Sequence, residues 1–432
     1  MKFYTVIFVA FILSGCNSFN KVKNQLSGGS PYEKYALSLE KAGLNKTEMA
    51  QSWKNAGLRA FNDSVFFNLP FSEALYFAAS APDARSYRFH AKEGQILIVK
   101  GTLKAKPRSS VFIDLFINDN SKWKQVAFAD TSLRLKYEFE KDQECLIRVQ
   151  PELLIDVFFT ISVTSTPVLI NPVSGASGKS IGSFYGDVRE GGARKHEGVD
   201  IFAPKGTPVL APADGNITRV GETKLGGKVI WMVDDKRRHS YYFAHLDSQL
   251  AGLGKIEQGD TLGTVGNTGN ARLTPAHLHF GIYQSGSKDP LHYIKGIEQA
   301  LKETQEDTSV RNQDFKVASK NAVVLNGPNA GNKVKYNLER NDYVKVIGYN
   351  AQWFRVQMPD KKEGYVPRKL IAPAERGKII TTKSSLSLMT EASYEAVPVR
   401  EIGKDEKIEL LAEYGAFKYV RDGKGKLGWV SF

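Results

Sequence analysis

The sequence predicts a mainly β, multidomain protein, with two short helices and a β-sandwich first, an antiparallel β-sheet domain next and two small β-barrels last. The 432 residues are 42% hydrophobic and 24% charged, which is ordinary globular composition on a length that divides into several domains. Apolar and polar residues alternate with period two through much of the chain, which is typical of strands. An internal repeat near the end indicates tandem copies of one small unit.

The N-terminus resembles a bacterial lipoprotein signal. Lys2 is followed by an apolar run, Phe3 to Leu13, which is too short to span a bilayer and has the length of a signal-peptide core. The run ends in Leu-Ser-Gly before Cys16, as in a lipobox. This predicts cleavage before Cys16 and a diacylglycerol on its thiol. Because Cys145 is the other cysteine, no intramolecular disulfide is expected after acylation, and Cys145 is predicted to be a core thiol.

Alternating segments divide the rest of the chain into domains. Residues 31–60 carry spaced apolar positions broken near 43–45, which predicts two amphipathic helices. Strand-like runs such as Tyr87 to Ala91 and Val111 to Ile117 predict a sandwich that faintly resembles prepeptidase-type jelly rolls. The predicted boundaries are 1–15 for the signal peptide, 16–30 for a flexible tether, 31–62 for the helical segment, 63–166 for the sandwich, 167–296 for the central domain, 297–313 for a linker, and 314–372 and 377–432 for the barrels.

The C-terminal repeat has a constant offset of 64 residues. The matched pairs include Leu338 with Ile402, Val344 with Ile408, Trp353 with Phe417, Gly364 with Gly428, and Tyr365 with Trp429. Alternation followed by a Gly-aromatic-Val ending resembles bacterial Src-homology-3-like barrels, a family that commonly binds cell-wall peptides. The aromatic residues of each unit have two interpretations, a ligand groove or simply the core of a small barrel.

The central domain holds six of the seven histidines. The segment from His196 to Asp200 places an imidazole and a carboxylate four residues apart, and His277 and His279 are two apart in an apolar run. On extended chains, each pair projects to one face. These four side chains could converge on one ion, and Zn²⁺ in a hydrolase needs three protein ligands and an open position for water. One of the four is therefore not a ligand, and pattern alone does not say which.

The same residues stand in a longer pattern. It comprises the run from His196 to Val209, Ala213-Asp-Gly, Phe243-Ala-His245-Leu, Gly259-Asp-Thr-Leu-Gly, Val265-Gly-Asn-Thr-Gly and His277-Leu-His279-Phe. In order and spacing it resembles the lysostaphin-like, LytM-type zinc metallopeptidases, over about 130 of the 432 residues.

The resemblance implies a role for each motif residue. His196, Asp200 and His279 match the zinc ligands of that family, for one Zn²⁺ ion. His245 and His277 match its two non-ligand histidines, one accepting the proton of the zinc-bound water and the other stabilising the oxyanion. The sequence departs from the usual pattern at Pro275-Ala276 and at Phe243, where tyrosine is usual and where Tyr241 or Tyr242 could substitute. The loop from Tyr185 to Lys195 is expected to border the substrate groove, whereas Glu197 and His239 are expected at the surface.

Three functions of different classes follow from these features. The first is a zinc endopeptidase that hydrolyses cross-links or stem peptides of peptidoglycan, with the barrels binding the wall. The second is a non-catalytic scaffold of the same fold that activates a cell-wall amidase, and the third is an endopeptidase acting on proteins. The formal charge of +13 suits anionic lipid or wall polymers, and nucleic acid is not expected as a partner. Asn17 after Cys16 favours an outer-membrane lipoprotein facing the periplasm, with the outer face of the cytoplasmic membrane as the alternative.

Overall fold

The computed structural model describes residues 29–62, 64–104, 109–296, 299–310, 313–329 and 331–432. The predicted signal peptide, Cys16 and most of the predicted tether lie outside these residues. The fold is mostly β with several antiparallel sheets, as predicted. Its α-helices are α1 (Pro31–Lys41), α2 (Glu48–Arg59) and α3 (Leu291–Ile294). No helix in the described ranges has both the length and the apolar character to cross a bilayer.

The two predicted N-terminal helices are present. Helix α1 begins with a capping box in which the Ser30 hydroxyl accepts from the Glu33 amide and the Glu33 carboxylate accepts from the Ser30 amide, which satisfies backbone donors at the helix start. Trp53 of α2 is buried against Tyr32 and Phe112, and its indole donates to the Pro151 carbonyl at 2.7 Å. The helical segment therefore packs against the sandwich.

Two facing sheets form the sandwich. One sheet has the strand order β1-β3-β8-β5-β6, and the other contains the strands β2-β9-β4-β7 in that order. Cys145 is fully buried in the core between them, as predicted. The strands are β1 (Val65–Phe66), β2 (Phe71–Phe77), β3 (Arg85–Ala91), β4 (Gln95–Lys104), β5 (Val111–Asp119), β6 (Lys122–Phe128), β7 (Arg134–Glu138), β8 (Gln143–Pro151) and β9 (Val157–Pro167).

One large antiparallel sheet dominates the central segment, with the order β10-β13-β20-β17-β16-β15-β18. Its apolar face packs on a separate core that includes Val199, Phe243 and Phe280. The strands are β10 (Ile181–Ser183), β11 (Val188–Arg189), β12 (Arg194–Lys195), β13 (Val199–Phe202), β14 (Pro208–Leu210), β15 (Gly215–Thr223), β16 (Gly227–Asp234), β17 (His239–Gln249), β18 (Gly254–Ile256), β19 (Thr261–Val265), β20 (His277–Tyr283) and β21 (Ser287–Lys288).

The C-terminal repeat appears as two sets of strands with the same pairing order. The strands are β22 (Asp314–Val317), β23 (Asn321–Leu325), β24 (Val334–Glu339), β25 (Tyr343–Tyr349), β26 (Trp353–Gln357), β27 (Glu363–Pro367) and β28 (Ile371–Pro373), then β29 (Lys378–Thr381), β30 (Leu386–Met389), β31 (Pro398–Ile402), β32 (Lys407–Tyr414), β33 (Phe417–Arg421) and β34 (Leu427–Ser431). The order β29-β32-β33-β34-β30-β31 repeats β22-β25-β26-β27-β23-β24, and β25 and β32 begin 64 residues apart. Most of the repeat aromatics are core, including Tyr365 and Trp429, while Trp353 is half-buried.

The first barrel is continuous with the sandwich. Strand β25 pairs with β2 at Ala74 and Leu75, so one sheet runs through both. Behind this seam, Arg355 of the barrel donates to Glu363 at 2.8 Å and lies 3.5 Å from Glu73 of the sandwich. The Tyr365 hydroxyl crosses the same seam to Glu73 at 2.7 Å. Buried charges and hydrogen bonds thus join the two units.

We expect Arg355→Met to lower the free energy of unfolding by about 3–5 kcal/mol, because it leaves the Glu73 carboxylate buried without its cation and leaves Glu363 with only Arg85, at 3.6 Å. Urea unfolding followed by tryptophan fluorescence measures this. Arg421→Met is the control, since Arg421 pairs with Glu409 on a more exposed surface and such pairs contribute about 0–1 kcal/mol. Equal effects of the two substitutions would contradict the prediction.

The sandwich packs against the central segment at the turn between β16 and β17. Arg237 donates to Glu138 of the sandwich at 2.7 Å and to Asp234 at 2.8 Å. On β21, Lys288 lies 2.6 Å from Glu93 of the sandwich. This turn lies at the start of β17, whereas His245 lies toward its other end. The sandwich therefore holds the sheet at the end remote from the motif histidines.

Candidate metal centre

Strands β13 and β20 place Asp200 and His279 directly opposite each other. The two residues are cross-strand partners, and their neighbours Val199, Leu278 and Phe280 are fully buried on the other face. Because side chains alternate along a strand, burial of those apolar neighbours directs Asp200 and His279 to the opposite, polar face. The Asp200 Oδ1 atom lies 3.0 Å from the His279 Nδ1 atom.

His196 reaches this face from the loop before β13. A Cβ atom at Gly198 would lie 2.4 Å from the Phe280 carbonyl oxygen and 2.9 Å from the His279 ring, so only glycine allows the loop to approach β20 so closely. The His196 Nδ1 atom lies 2.8 Å from the Phe184 carbonyl oxygen. Since a carbonyl can only accept, Nδ1 carries the proton and the Nε2 lone pair faces Asp200 and His279.

The three donor atoms form a triangle that suits a metal ion. The His196 Nε2 atom is 3.0 Å from Asp200 Oδ1 and 2.9 Å from His279 Nδ1. Neighbouring ligands around a tetrahedral ion with bonds of about 2.0 Å are about 3.3 Å apart, so these separations need little adjustment. Two imidazoles and one carboxylate are also the donor set of catalytic zinc sites. Among the described residues, these three form the group that could hold a metal.

The ionised form of the Asp200 carboxyl group is strongly favoured. Burial would raise the pKa of this carboxyl, but hydrogen bonds and the charges of His196 and His279 lower it well below its usual range. Its second oxygen, Oδ2, accepts from Arg189 Nη2 at 2.8 Å. A carboxylate ligand is therefore ionised here at any pH relevant to metal binding.

His277 lies on the same face of β20 as His279. Its Nδ1 atom is 2.9 Å from the Pro275 carbonyl oxygen, so that nitrogen donates and Nε2 is left with a lone pair. The ring packs on Phe202, at 5.2 Å between centroids. The imidazole is thus held in one tautomer with its basic nitrogen away from the backbone.

A β-bulge in β17 brings His245 to the site. In an uninterrupted strand, His245 would share the core face of Phe243. The pairing between β16 and β17 shifts at this point, and His245 has a φ of 64°. This left-handed conformation is uncommon outside glycine and costs about 1–3 kcal/mol. It turns the imidazole to within 5.0 Å of the His277 ring and 6.1 Å of the His279 ring, centroid to centroid.

His245 is held like His277. Its Nδ1 atom lies 2.9 Å from the Thr268 carbonyl oxygen, and its amide donates to the Gly226 carbonyl at 2.7 Å. Burial lowers the pKa of the His245 imidazole to about 4, and burial also lowers the pKa of His279. Both rings are therefore neutral near pH 7, and the lone pair of His245 lies on Nε2 because its Nδ1 atom donates to the Thr268 carbonyl.

The depressed pKa of His245 makes stability pH-dependent. Below about pH 6.5 the unfolded chain binds a proton at this residue that the folded chain refuses until about pH 4. We expect the metal-free protein to lose about 3 kcal/mol of stability through His245 between pH 7 and pH 4. Urea unfolding across this range measures it. His245→Asn, which tolerates the left-handed backbone, should show a shallower pH dependence, and an equal dependence would contradict the assignment.

The structure brings together all five residues predicted for the site, namely His196, Asp200, His245, His277 and His279. The prediction for Glu197 is confirmed, since it is exposed and accepts from Tyr283 at 3.3 Å. The prediction for His239 is wrong: this residue is 6% exposed and its ring packs on Tyr293. The basic run before it indicated solvent, but the fold buries it near the contact with the sandwich.

Tyrosines near Phe243 differ in position. The Tyr242 ring lies 5.9 Å from the His279 ring, whereas the fully buried Tyr241 donates to Asp234 at 2.8 Å. Tyr242 is therefore the tyrosine on the site face.

Sequence reasoning singled out the loop from Tyr185 to Lys195 but missed Arg189 within it. An arginine three residues after a Phe-Tyr-Gly turn carries no signal of its own, because its contact with Asp200 depends on the fold.

The fold is LytM-like, and the site is a His-Asp-His donor set beside two further histidines. Residues 194–290 match the family model "Peptidase family M23", and residues 318–373 match "Bacterial SH3 domain". The chain thus contains an M23, LytM-type peptidase domain and a bacterial SH3 domain. Peptidases of family M23 are zinc metallopeptidases.

Similar proteins include enzymes of the cell wall. The chain is 36% identical to the L-Ala–D-Glu endopeptidase of Bacillus subtilis over 131 residues, which cover 27% of this chain and 40% of the relative. It is 23% identical to the peptidoglycan DD-endopeptidase ShyC of Vibrio cholerae over 299 residues, 64% of this chain and 62% of the relative. Each alignment spans less than two thirds of the curated relative. Among solved structures, the catalytic domain of lysostaphin from Staphylococcus simulans is 32% identical, covering 26% of this chain and 87% of that one, with a TM-score of 0.24.

Proposed function

We propose that this chain is a zinc-dependent endopeptidase that hydrolyses peptide bonds in peptidoglycan cross-links or stem peptides. The observation that carries the proposal is the triangle of His196, Asp200 and His279 donor atoms, 2.9–3.0 Å apart, beside His245 and His277. One Zn²⁺ held there would polarise the scissile carbonyl and lower the pKa of its bound water to about 7. The peptidoglycan DD-endopeptidase among the relatives supports the choice of polymer.

His245 and His277 supply the proton transfers. Each donates through Nδ1 to a backbone carbonyl and keeps a lone pair on Nε2. Such a nitrogen accepts the proton of an attacking water, and once protonated it donates to the oxyanion or to the leaving amine. The two rings are 5.0 Å apart, so one can act as the base, and the other stabilises the oxyanion in the form that carries a proton on Nε2.

Exposed apolar side chains around the site suit a peptide substrate. Phe184 follows Ser183 in the loop that holds His196, Phe202 packs on His277, Leu225 lies next to the residue that accepts from the His245 amide, and Leu273 is fully exposed shortly before His277. Exposed apolar surface beside a site is typical of surfaces that bind a ligand or partner. We propose that these side chains contact the residues that flank the scissile bond.

The decisive experiment is digestion of purified peptidoglycan by residues 29–432, followed by mass analysis of the fragments. We expect peptide cleavage that a chelator stops and that added zinc restores. The matched control is the His279→Ala variant in the same assay. Fragments absent under all conditions would favour the amidase-activating scaffold, and cleavage of an unfolded protein but not of peptidoglycan would favour a general endopeptidase.

We further propose that Cys16 carries a lipid that tethers the enzyme to a membrane of the cell envelope, the outer membrane facing the periplasm. The relatives include an uncharacterized lipoprotein, YgeR of Escherichia coli, which is 33% identical over 23% of this chain and 39% of its own length. Metabolic labelling with a fatty acid tests the tether, with Cys16→Ala as the control. Recovery in the cytoplasmic membrane fraction would favour the alternative location. We also propose that the barrels bind the cell wall. The proposal that there are two barrels rests on the repeated strand order.

A further inference from the structure

Arg189 makes a contact that the proposed reaction does not use. It lies on β11 in the short hairpin with β12, where Gly191 and Gly192 have φ values of 63° and 108°. Its Nη2 atom donates to Asp200 Oδ2 at 2.8 Å and to the Ser183 hydroxyl at 2.5 Å. An ionised donor on an ionised acceptor makes a strong hydrogen bond.

The two oxygens of Asp200 therefore have different partners. Oδ1 lies 3.0 Å from both His196 Nε2 and His279 Nδ1, on the side where an ion would bind. Oδ2 is turned away and occupied by Arg189. A carboxylate held in this way offers an ion one oxygen, whereas a carboxylate without such a partner can offer both.

The same loop also orients His196. Asp187 Oδ2 accepts from the Ser183 hydroxyl at 3.0 Å and from the Phe184 amide at 2.8 Å, which fixes the turn. The Phe184 carbonyl then accepts from His196 Nδ1. One short segment, residues 183–189, thus holds the imidazole through a carbonyl and the carboxylate through Arg189.

We propose that Arg189 is a positioning residue that makes Asp200 a one-oxygen ligand and so keeps a coordination position open for water or substrate. This rests on the proposed function, since it presupposes that the site binds zinc. Partners that hydrogen-bond a metal ligand typically contribute 10–100-fold to metal affinity. The guanidinium also repels a divalent cation, and this effect alone would make zinc bind more tightly after Arg189 is replaced. Weaker zinc binding by the variant therefore indicates that positioning of Asp200 outweighs the repulsion.

The test is metal binding by Arg189→Met, Arg189→Lys and Ser183→Ala in residues 29–432. Zinc affinity is measured by competition with a chromophoric chelator. We expect Arg189→Met to bind zinc about 10–100-fold more weakly and Arg189→Lys to recover part of the loss because the charge remains. Ser183→Ala should weaken binding in the same direction but less. Arg219→Met, an exposed arginine on β15, is the control for loss of one positive charge.

Cobalt substitution gives a readout that a purely structural role would not move. The visible absorption of Co²⁺ is strong at four-coordinate sites and weak at higher coordination numbers, so Arg189→Met should weaken it when Asp200 binds through both oxygens. An unchanged spectrum and affinity, or tighter zinc binding, would overturn the proposal. Thermal melting of the metal-free variants shows whether they fold. If Arg189→Met does not fold, Ser183→Ala provides the test. Failure of the unsubstituted protein to bind zinc would instead contradict the proposed function.

Discussion

We expect replacement of His279 or Asp200 with alanine to remove zinc from the protein and to lower peptidoglycan cleavage by at least about a thousandfold. Each substitution deletes one vertex of the triangle of donor atoms, which are 2.9–3.0 Å apart. The loss of a Lewis acid withdraws several kcal/mol of transition-state stabilisation, and each 1.36 kcal/mol is tenfold in rate. Elemental analysis of the purified variants gives the zinc content, and fragment release gives the rate.

His292→Ala is the matched control for these variants. His292 lies in α3, outside the cluster, so its loss should leave both zinc content and cleavage unchanged. The assignment of His279 and Asp200 as ligands fails if either alanine variant retains one zinc per chain. It also fails if cleavage persists in a zinc-free variant, because the reaction would then need another source of nucleophile.

We expect His245→Ala and His277→Ala to retain zinc but to reduce turnover by about 10²–10⁴-fold, the usual contribution of general acid–base catalysis. Neither ring belongs to the donor triangle, and each presents a lone pair on Nε2. The expected pattern is therefore a fall in kcat with an unchanged zinc content. The double variant should be little worse than either single one, since groups that act as a unit are not additive.

The pH profiles of the two variants assign their roles. If His245 is the base, its low pKa of about 4 places the acid limb of kcat/KM well below pH 6.5 in the unsubstituted protein, and this limb disappears in His245→Ala. An acid limb that persists in His245→Ala would exclude His245 as the base. Loss of zinc from either variant would contradict the separation of ligands from catalytic histidines.

Sequence patterns determined much of this protein, because they record local physics. Period-two alternation depends on the burial of one strand face, and it predicted the β class, the sandwich and the faces of Asp200 and His279. The offset of 64 predicted the repeated strand order, since an ungapped repeat keeps every side chain on the same face. Histidine and aspartate at strand spacing indicated a metal site, although resemblance was needed to separate His279 from His277 as a ligand.

Tertiary structure alone decided the features that depend on contacts distant in sequence. A bulge in β17 turns His245 out of the core face, and no local propensity shows it because its cause is the pairing of β16 with β17. The contact of Arg189 with Asp200 and the burial of His239 also depend on which elements meet. The seam at Arg355 joins residues more than 260 positions apart, Ser86 among them. Motifs and periodicity thus identify the candidate metal ligands, while tertiary packing decides which other side chains face the site.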